Sequence, residues 1–192
     1  MGSLNWRASW WIYFSIFPPN GKAKSEGMGY TFAMSSSPTP VRYAARAIII
    51  QDKLILCLKK VGDIGTFFVL PGGGQNPGEL LSATVKRECR EELGAAIQVG
   101  PLCYVQEYVG DNHDFRKQHK GRHFVNHYFE CQLLEPIETH PLAPDDGQLG
   151  LEWLAVSQLT TLPFFPRALA VKLVAGDVGG GEREGLYLGD SV

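Results

Sequence analysis

Glu88, Glu91 and Glu92 stand at the i, i+3, i+4 spacing that shares one face of a helix, in the stretch LPGGGQNPGELLSATVKRECREELGAA (residues 70–96). Like charges so placed destabilise a helix by roughly a few tenths of a kcal/mol per pair. Taken alone, the pattern favours a solvated acidic face, eased by Lys86, Arg90 and above all Arg87, one turn before Glu91. The chemical alternative is a site for a hard divalent cation. Mg²⁺ takes carboxylate and water oxygens and shares its shell with substrate phosphates, so it would turn the repulsion into attraction. Gly72, Gly73 and Gly74 supply the other half, because glycine lets backbone approach a ligand closely and a carbonyl there can face the metal.

Such a site needs a helix under the glutamates. Asn76 has an N-capping side chain, Pro77 suits a first turn, and Glu79 follows Asn76 at capping-box spacing. The helix is predicted to run to about Leu93 and stop at Gly94. Its apolar side is Leu81, Val85 and Cys89, with Leu80, Ala83 and Thr84 nearby. Upstream, VRYAARAIIIQ and KLILCLKK read as two strands joined at Asp52 in a hairpin, and TFFVL as a short strand leading into Pro71 and the glycines. Downstream, LCYVQEYVG and HFVNHYFECQLL are strand-like, and LEWLAVSQL follows them. Pro166 to Ala175 reads as a second helix and GLYLGD as a last strand. Mixed strands with one early and one late helix predict an α/β layered domain.

With those elements in place, the segment resembles the Nudix box, G-x5-E-x7-R-E-U-x-E-E-x-G-U, where U is a bulky aliphatic residue. Gly73, Glu79, Arg87, Glu88, Glu91, Glu92 and Gly94 occupy every glycine and polar position, and Cys89 and Ala95 are smaller than the usual U. The order of strands and helices from Val41 onward is also similar to a Nudix domain. The resemblance implies an α/β/α sandwich with a mixed central β-sheet over residues 41–192. It implies a hydrolase of the MutT-like kind that cleaves a nucleoside diphosphate linked to another moiety, with Mg²⁺ or Mn²⁺ bridging the pyrophosphate and water attacking in line. Glu88, Glu91 and Glu92 would be metal-facing with the Gly72 carbonyl, and Glu88 has a second role open to it, orienting or deprotonating the water. Arg87 would hold the carboxylates by a bidentate pair with Glu91, while Gly73, Glu79 and Gly94 are structural.

Substrate features lie outside the box. Paired zinc-binding cysteines are absent, Gly110 stands where ADP-ribose-cleaving members carry proline, and LPFFPRAL offers no nicotinamide-type signature. A nucleoside triphosphate or small nucleoside diphosphate derivative is therefore expected. ADP-ribose or nucleoside diphosphate sugar cleavage is the first alternative, and a non-catalytic nucleotide-binding module the second. The intact box favours an enzyme. Tyr108, Phe124, Tyr128 and Trp153 are candidate base-stacking residues, although strand aromatics more often belong to a core. His123 and His127 share a strand face. Arg42, Arg46 and Arg122 are candidate phosphate contacts, and Glu107, Asp111, Asp114 and Glu152 candidate extra ligands or bases. The loop of residues 110–121 is expected to border the site.

The bulk properties set limits on class. A chain of 192 residues with a net charge of −2 suits one domain with spare length and not a nucleic-acid-coating protein. RKQHKGRH (residues 116–123) is the only dense basic patch, too little for a stable nucleic-acid complex. Cys57, Cys89, Cys103 and Cys131 show no metal spacing and read as reduced thiols of a cytoplasmic protein. Residues 1–40 read as an N-terminal extension, disordered or from a start codon upstream of Met28 or Met34. Their apolar run WWIYFSIF is far shorter than the about twenty residues that span a bilayer, so no membrane partner is expected. The expected partner is a nucleotide-type small molecule, with homodimerisation a family expectation.

Overall fold

The computed structural model describes residues 40–62, 65–113, 119–137, 147–176 and 186–192. Most of the N-terminal extension, Asp114 and residues 116–118 of the basic patch lie outside the described residues.

β1 (Arg42–Gln51) and β2 (Leu54–Gly62) pair antiparallel, with Gln51 facing Leu54 across a two-residue turn. Asp52 and Lys53 both have positive φ, 49° and 65°, the type I′ geometry whose twist matches that of the strands. β3 (Gly65–Val69) joins β2, and β4 (Gly72–Gly74) joins β1. After α1 (Leu81–Leu93) come β5 (Ile97–Val109), β6 (His123–Leu133) and β7 (Gln148–Ala155), then α2 (Arg167–Val174) and β8 (Tyr187–Asp190). The strands form one mixed sheet, ordered β3-β2-β1-β6-β5-β8, with β4 beside β1 and β7 beside β2. The β1–β6 and β5–β8 pairs are parallel.

Alternation along β1 divides the core. Ala45, Ala47 and Ile49 pack with Val85, Cys89 and Leu93 of α1, whereas Ile48 packs on the opposite face with Leu169, Ala170 and Leu173 of α2. One helix on each face makes the predicted α/β/α sandwich. All four cysteines are free and buried. No helix among the described residues is long and apolar enough to cross a membrane.

Local departures from the sequence reading cluster around the box. The helix begins at Leu81, with Leu80 as an extended N-cap, and not at Asn76. Gly78 has φ of 82°, outside the helical region, so residues 76–79 close a turn ahead of the helix. There the Glu79 N–H donates to the Asn76 carbonyl at 3.0 Å and the Asn76 N–H to the Glu79 carboxylate at 3.1 Å. Leu80 and Ala83 face solvent, while Thr84, Val85, Cys89, Glu92 and Leu93 are buried. The glycine run, which has no strand pattern of its own, is β4: Gly72, Gly73 and Gly74 lie opposite Arg46, Ala45 and Ala44.

Candidate active site

α1 lies against β4, and its three glutamates meet different surroundings. Glu92 is buried and accepts the Gly72 N–H at 2.7 Å. Glu88 lies over Gly73, where an added Cβ would stand 2.4 Å from its carboxyl carbon. Glu91 is the outermost of the three, with 44% of its side chain exposed against 12% for Glu88.

Arg87 ties these parts together. Its Nε and Nη2 donate to the two carboxylate oxygens of Glu79 at 3.0 and 3.2 Å, and Nη2 also reaches the Gly74 carbonyl at 3.0 Å. Nη1 donates to Glu88 at 2.8 Å and to Glu91 at 3.3 Å. The bidentate partner is therefore Glu79 and not the expected Glu91, because the 76–79 turn sets a whole carboxylate against the guanidinium fork. The Arg87 fork, helped by the Asn76 N–H, lowers the Glu79 pKa to about 2, against a smaller opposing effect of burial. Hydrogen bonding to Glu79 in turn raises the Arg87 pKa.

Gly72 is held at both ends. Its N–H goes to Glu92, and Arg46 of β1 donates to its carbonyl, the group expected to face a metal. Among the described residues no three His, Cys, Asp or Glu side chains form a metal cage. Helical spacing puts the carboxylates on one face, where Glu88 and Glu91 meet at Arg87 Nη1 while Glu92 turns to the Gly72 N–H. The donor set still suits Mg²⁺ or Mn²⁺, being wholly hard oxygen, and glycine at 73 leaves a space that a Cβ would deny to Glu88.

A cavity of about 430 Å³ opens on the α2 side of the sheet. Phe67, Val69 and Phe165 provide apolar wall, Gln106, Asn126 and Tyr128 a polar portion, and Arg46 stands among them. Of the sequence candidates, Arg46, Tyr108 and Tyr128 line it, as does His119 from the 110–121 loop. Burial raises the pKa of the Tyr108 hydroxyl, opposed by the charge of Arg122, which is itself exposed just ahead of β6.

His123 and His127 are on the other face. They alternate with the cavity residues Asn126 and Tyr128 along β6, and they engage Glu107 at 3.1 Å and the Ala44 carbonyl at 3.2 Å. Phe124 lies under the Arg42 guanidinium at 5.8 Å, and Trp153 packs in the α1-side core. Glu152 pairs with Lys59 at 3.1 Å and Asp111 accepts the Gly121 N–H at 3.1 Å. Sequence reasoning missed Phe67, Gln106, Asn126 and Phe165. Amides at 106 and 126, two residues from the tyrosines at 108 and 128, were a period-2 signal for one lined face. The two phenylalanines sit in runs that read as core.

Comparison with known proteins bears on the family and the fold. The family model described as the NUDIX domain matches residues 40–172. A MutT Nudix hydrolase from Burkholderia pseudomallei is 24% identical, with 70% of this chain and 98% of that chain covered and a TM-score of 0.57. A UDP-X diphosphatase is 23% identical, covering 83% of this chain and 71% of that one at a TM-score of 0.55. An ADP-ribose pyrophosphatase from Streptococcus suis is 17% identical, with 76% and 98% covered and a TM-score of 0.53. These three share the fold. No curated protein matches the chain. The chain belongs to the Nudix family and is a hydrolase of pyrophosphate bonds.

Proposed function

We propose that this hydrolase uses a divalent cation to cleave a nucleoside triphosphate or small nucleoside diphosphate derivative, releasing a nucleoside monophosphate and the phosphorylated remainder. The observation that carries the reading is the complete box folded as one unit, with Glu88 and Glu92 against β4 and Arg87 joining the turn, the helix and the glycines. Glu88, Glu91, Glu92 and the Gly72 carbonyl would hold Mg²⁺ or Mn²⁺. When bound, the cation neutralises charge developing on the pyrophosphate oxygens and lowers the pKa of water. Arg87 holds Glu88 and Glu91 on one nitrogen and so aims them, and Glu79 anchors Arg87. Glu88 is the candidate to take the proton from the attacking water at a carboxylate oxygen. Arg46, which bonds Gly72 of β4 and lines the cavity, would hold a phosphate oxygen of a substrate whose body occupies the cavity. The catalytic domain is assigned to residues 41–192, and the reduced, buried thiols fit a cytoplasmic enzyme.

The test is phosphate release from a panel of nucleoside triphosphates, nucleoside diphosphate sugars, ADP-ribose and dinucleoside polyphosphates, with Mg²⁺ and with Mn²⁺. Glu92→Gln keeps an acceptor for the Gly72 N–H, so the fold should persist while kcat falls by about a hundredfold or more. Near-normal turnover in that variant would remove Glu92 from the mechanism. Silence of the wild type across the panel, with nucleotide still bound, would favour the binding module.

A further inference from the structure

Gln106 of β5 and Asn126 of β6 face each other across the strands, and neither belongs to the box. Gln106 is only 2% exposed. Its amide nitrogen donates to the Ser191 carbonyl at 2.6 Å and also to the Glu107 carbonyl. A backbone carbonyl can only accept, so that end of the side chain is NH₂ and the opposite end is the oxygen. The oxygen receives Asn126 Nδ2 at 2.8 Å and the Tyr128 hydroxyl at 3.4 Å. Asn126 is thereby oriented in turn. Its nitrogen faces Gln106, leaving Oδ1 and the second N–H for the cavity that it lines. Two main-chain carbonyls thus dictate the polarity of the side chains in series beyond them.

We propose that Asn126 reads the base of the substrate, offering Oδ1 and its second N–H as an acceptor–donor pair to the edge of a nucleobase in the cavity, with Gln106 as its positioning residue. This rests on the nucleotide reading of the substrate given above. The walls suit a flat heteroaromatic ring: Phe67 and Phe165 meet edge to face, with centroids 6.1 Å apart. The volume of about 430 Å³ falls within the ordinary range of small-ligand sites. Nucleobases carry a donor beside an acceptor on a planar edge, which an oriented carboxamide matches in two parallel hydrogen bonds, whereas a sugar presents neither the plane nor the fixed pair. Arg46 borders the same cavity and touches Gly72, so a base held here has its phosphates directed towards the box.

The experiment is calorimetric titration of the full chain, without added metal, by the four ribonucleoside 5′-monophosphates and by ribose 5-phosphate. At least one monophosphate should bind about tenfold or more tighter than ribose 5-phosphate. Asn126→Ala should remove that advantage and leave ribose 5-phosphate binding unchanged, and Asn126→Ser serves if the alanine variant loses its melting transition. Gln106→Met, which deletes the acceptor that orients Asn126, should flatten the preference among the four bases. Monophosphates no tighter than ribose 5-phosphate, or a preference that survives at position 126, would overturn the assignment. Uniform weakening by Gln106→Met would reduce Gln106 to packing. Turnover is not read in any arm, so failure here is separate from failure of the hydrolase reading, which Glu92→Gln tests.

Discussion

Arg87 grips Glu79 by two bonds and reaches Glu88 and Glu91 with the nitrogen left over. The rule for residues one turn apart pointed to Glu91, but a rule for a single helix contains no term for a carboxylate delivered from a turn outside it. The Glu79 pKa, lowered from 4.5 to about 2, chiefly by its hydrogen bonds with Arg87, has a consequence with a definite sign. The unfolded chain takes up the proton first as pH falls, so the contribution of the pair is complete above pH 4.5 and is lost on the way down to about 2. Glu79→Gln should therefore lower Tm most above pH 4.5 and flatten its acid dependence between there and pH 2. Thermal melts across that window check this. A variant whose Tm falls as steeply as that of the wild type would show that the ion pair does not stabilise the fold.

At the level of elements, Gly72 and Gly73 of β4 divide stability from chemistry. A Cβ at Gly72 would sit 2.2 Å from the Ala45 carbonyl oxygen, on a backbone with φ of 125°. Both the clash and the conformation are main-chain problems, so Gly72→Ala should destabilise by about 3 kcal/mol or more and weaken the β1–β4 ladder. At Gly73 the obstructing atoms are the Glu88 carboxylate, the far end of a flexible side chain. Gly73→Ala should keep Tm within a few degrees of wild type, yet displace Glu88 and lower kcat by about a hundredfold. Paired melts and turnover measurements decide it, and the opposite ranking of the two variants would refute the division. The same region explains the late start of α1. Asn76 and Glu79 do make one capping-box contact, but the left-handed Gly78 between them diverts the chain before a helix can begin.

For the molecule as a whole, the four thiols sample both layers of the sandwich, Cys57 and Cys103 on the α2 side and Cys89 and Cys131 on the α1 side. Burial pushes the Cys57 and Cys131 pKa values up to about 12, and that of Cys89 is raised for the same main reason. Because the thiolate is the reactive form, a thiol reagent at pH 8 should label none of them in the native state. All four should become reactive together at the rate of global unfolding. Faster labelling of one pair, read by mass spectrometry, would show that one helix layer opens independently of the other.

What is local in the chain could be read from its residues. The β1–β2 hairpin, the stop of α1 at Gly94 and the spacing of the box follow from turn chemistry, helical period and fixed intervals between residues. Period-2 reasoning also put His123 and His127 on one face of β6. Which face that would be depends on which helix packs there, a matter of long-range packing that gives the cavity to Asn126 and Tyr128 instead. The same holds for Gly72, bonded to Glu92 of α1 and Arg46 of β1, and for Asn126, oriented through Gln106 by the carbonyls of Glu107 and Ser191. Apart from the bond of Gln106 to its neighbour Glu107, those contacts join segments far apart in the chain, and no pattern within one segment encodes the geometry of another.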